Sequence, residues 1–379
     1  MSLLRNHFWL RTIVIALLSS FTAWGLALLV SYNIFSTSAF TSTEKSTDFE
    51  LSDLYQSAAS KRAVSHLSND IVLVGIDSLD RDGIACILDA ISFMEPRAIG
   101  VDLLFPYRRQ GDDLLIESFN TNVPIVLAAD IRYDKRQGRF IRHPGNWFDP
   151  IPNASYGVVN FPVSHNQNVI RSYTSNFNLG DTLLFAFAQT VARAAGVSTT
   201  PEDGQPMILF PSVEFSRLTP HNLITSNGAP RMEAEDCIAG KIVLVGTLED
   251  TSDQHLTPVD PAMSGVQIHA TILENLLSNK FIRYFPHWLE VLLAWLLCFC
   301  LIVFMNIAKE KWSKVGNLAV RVFQAILIYT LFVIGCNAFV RRNLYIDFSL
   351  ALLMTGLGAF AFDLIYGLLA LSHKLKKKK

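Results

Sequence analysis

The chain has 379 residues, with 32 Lys and Arg against 33 Asp and Glu and a net charge of -1. That balance leaves no electrostatic case for nucleic acid, and a mean hydropathy of +0.30 is high for a soluble protein. The apolar excess lies in a few long segments, so the composition describes a membrane protein with a polar domain between its spans.

Residues 1–11 form a basic N-terminus with Arg5 and Arg11. Residues 12–32 follow without a charge, at about the twenty residues a spanning helix needs. A cleaved signal peptide shares the basic start and the small residues at 36–39, but its apolar core is normally shorter. An uncleaved first span is therefore the expectation. Residues 33–286 are the polar part. Within it, 40–66 reads as a helical connector whose apolar trio is Leu51, Leu54 and Tyr55. Residues 71–76 are a buried strand. Ser78 or Asp80 caps the next helix, where Ile84, Ile87, Leu88 and Ile91 form a stripe that Pro96 ends. Residues 98–101 are a second strand closing on Asp102, 112–120 a short helix, and 125–129 a third strand closing on Asp130. This β-α-β-α-β run predicts an α/β domain with a mainly parallel β-sheet flanked by helices.

Turn formers between 132 and 161 (Gly138, Pro144, Gly145, Pro150, Pro152, Gly157) predict hairpins. Residues 156–161 and 169–178 read as strands, antiparallel to each other or at a sheet edge. Residues 183–195 read as an amphipathic helix, with Leu184, Phe187, Ala188, Val191 and Ala195 on one face and Gly196 ending it. Residues 199–235 are loop-like, with 207–210 as a short strand. The domain closes on a strand at 241–245, a polar turn at 246–264 and a helix at 265–277. Ser264 and Gln267 stand at capping-box spacing, and Val266, Ala270, Leu273 and Leu277 share a face. A loop leaving a strand's C-terminal end is where open α/β sheets usually hold ligands.

Three further spans follow at 288–307, 322–340 and 348–371, with Trp288, Trp295 and Tyr345 as interfacial anchors. The 308–321 linker carries Lys309, Lys311, Lys314 and Arg321, and the 372–379 tail carries five more Lys. Together with Arg5 and Arg11 they place the N-terminus, the linker and the tail in the cytoplasm and residues 33–286 outside. Arg341 and Arg342, in the short outer loop, dissent. Asp363 sits inside the last apolar stretch, where an ionisable group is a functional candidate. The stretch is longer than a span needs, which puts Asp363 near the headgroups beside the Lys tail. Cys86 and Cys237 lie in the polar part; a disulfide in an oxidising compartment and two buried free thiols are the alternatives.

Asp77, Asp102 and Asp130 each follow an apolar strand. Adjacent parallel strands gather them at one edge of the sheet, and Glu249, Asp250 and Asp253 in the closing loop approach the same edge. Such carboxylates can hold a hard cation, bind a cationic ligand, or raise one another's pKa. The structural alternative is that Asp after a strand caps the next helix or fixes a turn. Asp77, Asp102, Asp130, Asp250 and Asp253 are thus the candidate ligand residues. His269, amid Val266, Ile268, Ile272 and Leu273, is expected to be a hydrogen-bonded core residue; with Asp363 it is the candidate for signal relay. No nucleophile elbow, zinc-protease helix or phosphate loop occurs, so neither enzyme activity nor a cofactor or metal is expected.

Several blocks in order resemble the type-two CHASE domain, an extracytoplasmic sensory module of bacterial signalling proteins. They are IVLVGID at 71–77, RAIGVDLLF at 97–105, YGVVN at 156–160 with NVIRS at 168–172, GKIVLVG at 240–246, Asp253, Thr257 with Pro258, and GVQIHA at 265–270. One span before and three after is also the family's usual arrangement. The stretch after the opening strand departs from it, with Arg81-Asp-Gly-Ile where a Trp-Pro-rich segment is common. The resemblance implies a sensor in the bacterial cytoplasmic membrane that binds a small molecule or ion outside and relays the state inward. Family members usually continue into a cyclase, kinase or phosphodiesterase. None follows here, so the output is expected from a protein partner or from self-association. The competing expectations are an assembly subunit whose outer domain docks a protein, and an outer-surface hydrolase using the acidic edge.

Overall fold

The computed structural model describes residues 2–36, 50–62, 65–77, 79–143, 145–162, 168–180, 182–199, 204–210, 213–311 and 316–376. The chain divides into two compact units, Met1–Tyr55 with Arg283–Lys379, and Gln56–Ile282. The first helices are α1 (Ser2–Ser36) and α2 (Leu51–Arg62). The expected connector is helical over α2; its residues 40–49 lie outside the described ones.

The sheet unit follows. Its strands β1 (His66–Gly75), β2 (Ala98–Val101) and β3 (Ile125–Ala129) alternate with α3 (Arg81–Phe93) and α4 (Asp112–Ser118). Asp80 caps α3, its carboxylate accepting from the Gly83 amide, and Ile84, Ile87, Leu88 and Ile91 are all buried. The hairpin β4 (Ile131–Asp134) and β5 (Arg139–Arg142) comes next, as the turn formers predict. Then come β6 (Ala154–Val158), β7 (Asn176–Asn178), β8 (Leu183–Ala186) and α5 (Phe187–Ala194). After β9 (Val213–Leu218), α6 (Pro220–Leu223) and α7 (Glu235–Ile238), the domain closes with β10 (Ile242–Gly246), β11 (Gln254–His255), β12 (Met263–Ser264) and α8 (Gly265–Leu277).

Eight strands form one sheet in the order β7-β8-β6-β3-β2-β10-β1-β9. All neighbours are parallel except β7 with β8. The last long strand, β10, slots between the first two: Ile71 pairs with Ile242, and Ile242 with Ala98. Only strands apolar on both faces tolerate that position, and β2, β3 and β10 are buried at every residue. Alternate residues feed two cores, as the two-residue strand period requires. Leu73, Val126 and Leu244 face α5 and α8, while Val74, Leu127 and Val245 face α3 and α4.

Several expectations need correction. Residues 183–186 are strand β8, not the first turn of a helix: they pair with β6 on one side and β7 on the other, and two ladders satisfy more backbone groups than one helical turn. The 156–161 and 169–178 segments are not antiparallel to each other, since β8 lies between β6 and β7, but the alternative of a sheet edge holds for β7, the outermost strand on that side. The 199–235 stretch contains β9, an edge strand beside β1 whose outward Glu214 and Arg217 hid its pattern. The capping box at 264–267 does not form: Ser264 makes no side-chain cap bond, and Gln267 instead accepts from Arg217 at 2.9 Å. No disulfide joins Cys86 and Cys237, and Cys86 is exposed while Cys237 is half-buried, so neither the disulfide nor two buried thiols is found.

The helical unit continues with β13 (Arg283–Tyr284), α9 (His287–Lys311), α10 (Gly316–Arg342), β14 (Leu344–Tyr345) and α11 (Ser349–Lys376). Its β13 and β14 pair parallel. Among the described residues, four helices are long and apolar enough to cross a membrane: Phe8–Val30, His287–Lys311, Gly316–Arg342 and Ser349–Leu369. Helices α9 and α10 run through most of the 308–321 linker, leaving only 312–315 between them. Buried amides tie the bundle, as is common where lipid offers no hydrogen bonds. Asn306 donates to Thr12 at 2.7 Å, and Gln324 donates to the Thr355 carbonyl at 2.6 Å.

Candidate functional site

The parallel register brings the C-terminal ends of β1, β10, β2 and β3 to one edge. Asp77, Asp102 and Asp130 stand just past three of these strands, and the β10 loop brings Asp250 and Asp253. Most of these carboxylates have local partners. Asp77 accepts from the Leu248 and Glu249 amides, both at 2.8 Å, and so pins the β10 loop to β1. Asp130 accepts from Asn160 at 2.7 Å, with His143 Nδ1 3.4 Å away. Asp250 accepts from the Ser252 amide and hydroxyl, and those bonds hold its pKa below the usual carboxylate value. Asp253 accepts from Thr247 at 3.2 Å and lies 3.6 Å from His255 Nε2. At Gly265, the first residue of α8, a Cβ would stand 3.0 Å from both Asp253 oxygens, so a larger residue there would need the carboxylate to shift. Asp253 thus sits at the positive end of α8. Among the described residues no group of three His, Cys, Asp or Glu is placed to hold a metal ion.

Asp102 and His269 form a buried pair. Asp102 Oδ2 is 3.9 Å from His269 Nε2, too far for a direct hydrogen bond, and the two side chains are 12% and 4% exposed. Burial pushes the Asp102 carboxyl up to about 8, with the Asp253 charge adding to the shift. Burial pushes His269 down to about 3; Asp253 opposes that shift and His255 reinforces it. Near neutral pH the pair is therefore a carboxylic acid beside a neutral imidazole. Phe161 stacks on the His269 ring at 4.7 Å and Phe187 meets it edge-on at 5.1 Å. His269 is a core residue hydrogen-bonded to the Val159 backbone, as expected, while its Nδ1 has no partner.

A cavity of about 690 Å³ opens at the same edge, between the loops after β1, β2 and β10. Asp250 lines it, with Asp80, Arg81, Asp82, Leu104 and Arg109. The Arg81 guanidinium lies 4.1 Å over the Phe105 ring, and its Nε is 3.3 Å from Asp112. Burial lowers the Arg81 pKa. Asp112 also accepts from Trp147 Nε1 at 2.9 Å and from the Arg109 amide, which fixes the β2–α4 loop. Gly111, at φ +86°, lets that loop pass against Asp82 and Arg81, where a Cβ would collide. Sequence reasoning missed Arg81 and Arg109. Arg81 carried a signal: it precedes Ile84, Leu88 and Ile91 at helical spacing, so it had to face inward. Asp363 belongs to the helical unit, where its carboxylate is 3.6 Å from Lys309 Nζ.

A mainly parallel α/β sheet with a cavity at its strand C-terminal edge, on a chain with one apolar helix before it and three after, describes an α/β domain carried on a membrane anchor. The model of the CHASE2 domain matches residues 25–304, most of the chain, and the chain belongs to the CHASE2 domain family. CHASE2 domains are extracytoplasmic sensory domains, not catalytic ones. No curated protein and no solved structure is similar enough to this chain to match.

Proposed function

We propose that this chain is a sensor of the bacterial cytoplasmic membrane. Residues 33–286 lie outside, bind a small molecule or ion at the strand C-terminal edge, and pass the bound state through the membrane helices to a partner protein or a second copy. The observation that carries this reading is the cavity of about 690 Å³ between the β1, β2 and β10 loops, at the position where open α/β sheets hold ligands. Asp250 and Arg109 contact the ligand in this reading. Asp77 holds the β10 loop in place, Asp253 supplies negative charge at the edge, Asp102 stands there as a neutral acid, and Asp130 flanks the edge. His269 and Asp363 are the candidate relay groups.

The test is a thermal-shift screen of small polar solutes and divalent cations on the full chain in detergent. A solute that stabilises the parent should lose most of its effect in Leu104→Trp, which fills the cavity, and in Arg109→Ala. A stabilising solute that acts equally on all three proteins would place its site elsewhere.

A further inference from the structure

At one end of the helical unit, α9, α10 and α11 enclose a second cavity, of about 260 Å³. Lys309 comes from α9, Asn317 and Arg321 from α10, and Phe362 and Asp363 from α11. Two cations face one carboxylate, so the cavity carries an excess positive charge. The ion pair inside it is loose: Lys309 Nζ lies 3.6 Å from Asp363 and 4.1 Å over the Tyr366 ring. Arg321 gives one hydrogen bond to Gln324, at 3.2 Å, out of five donors. The cavity also faces the start of a 27-residue helix. A helix start presents backbone N–H groups and the positive end of the dipole, which together favour anions. Gly316 brings that start against α9, since a Cβ there would lie 2.6 Å from the Ala308 carbonyl.

The neighbouring surface points to an amphipathic ligand. Leu318 and Val322, on the same turns of α10 as Asn317 and Arg321, are 65% and 51% exposed. On a helix apolar enough to span a membrane, such exposed apolar side chains suit contact with acyl chains. A cavity of this size admits a headgroup phosphate and not a whole lipid. Basic pockets between membrane helices are suited to anionic headgroups. We propose that this cavity holds the phosphate of an anionic phospholipid, clamped by Lys309 and Arg321, with its chains along Leu318 and Val322. Asp363 competes with the phosphate for Lys309 and so limits the affinity.

The experiment is native mass spectrometry of the full chain in detergent with added phosphatidylglycerol or phosphatidylcholine. Two basic groups near a membrane surface favour the anionic lipid by roughly tenfold or more. The protein should retain phosphatidylglycerol by that margin, and Lys309→Gln with Arg321→Gln should bring retention down to the phosphatidylcholine level. Asp363→Asn should raise phosphatidylglycerol retention, and this variant keeps the test available if the double variant does not fold. Equal retention of the two lipids overturns the proposal. So does a double variant that binds like the parent, or an Asp363→Asn chain that binds no better. Displacement of the lipid by millimolar inorganic phosphate would assign the cavity to free phosphate and overturn it as well.

Discussion

The Asp102–His269 pair makes a pH profile that can be worked out in advance. In the unfolded chain the carboxyl titrates at 3.8 and the imidazole at 6.5; in the folded chain these move to about 8 and about 3. Between pH 3.8 and 6.5 each state binds one proton, on His269 when unfolded and on Asp102 when folded, so the pair contributes no slope. From pH 6.5 to 8 the unfolded chain has lost its proton while folded Asp102 keeps one. Stability then falls as pH rises, by about 1.4 kcal/mol per pH unit, or roughly 2 kcal/mol across the window. Above the folded Asp102 value both states are ionised and the slope ends. For a domain of this size that is a loss of roughly 4–8 °C in Tm. Asp102→Asn removes the folded proton. Its profile should rise between pH 3 and 6.5 from His269 alone and stay level from 6.5 to 8. The assay is thermal unfolding of the sheet unit in the full chain, parent against variant, from pH 5 to 9; groups common to both cancel in the difference. A parent that is level between pH 6.5 and 8, or a variant that keeps the fall, would refute the neutral-pair reasoning.

Asp80→Ala removes the α3 cap bond to the Gly83 amide and should cost about 1 kcal/mol in thermal unfolding. Ser264→Ala should change stability by less than about 0.5 kcal/mol, because the hydroxyl is buried and makes no hydrogen bond; a loss near that of Asp80→Ala would restore the capping box. Gly157→Ala puts a Cβ 2.5 Å from the Phe187 Cα, and backbone yields less than a side-chain tip. It should cost about 1–3 kcal/mol or more, read as a lower midpoint in denaturant.

Much of the sheet was legible in the sequence because the central strands are short, apolar on both faces and bounded by Gly, Pro or Asp. The 98–101 and 125–129 strands and the 265–277 helix keep the predicted limits. The edges were harder. Strand β9 mixes Val213 and Phe215 with Glu214 and Arg217, and an edge strand needs only half an apolar pattern. Residues 183–186 fit both a helix and a strand by periodicity, and only the partners β6 and β7, distant in sequence, decide between them. The same holds at the site. That Asp77, Asp102 and Asp130 share an edge follows from parallel order alone. The ties that occupy Asp77 and Asp130 come from the β10 loop and from Asn160, which no local pattern announces. The insertion of β10 between β1 and β2 is what brings the Asp250 loop over the cavity, and strand order is not written in strand composition.

The proposed sensor role requires the sheet unit to lie outside the membrane. Cys86 is an exposed native thiol on α3 and reports this directly through labelling with a membrane-impermeant maleimide in intact spheroplasts. Cys86 should label without lysis, Cys86→Ser should lose the signal, and a cysteine introduced by Asn317→Cys should label only after permeabilisation. Labelling of Cys86 only after lysis, with the Asn317→Cys site open from outside, would contradict that role.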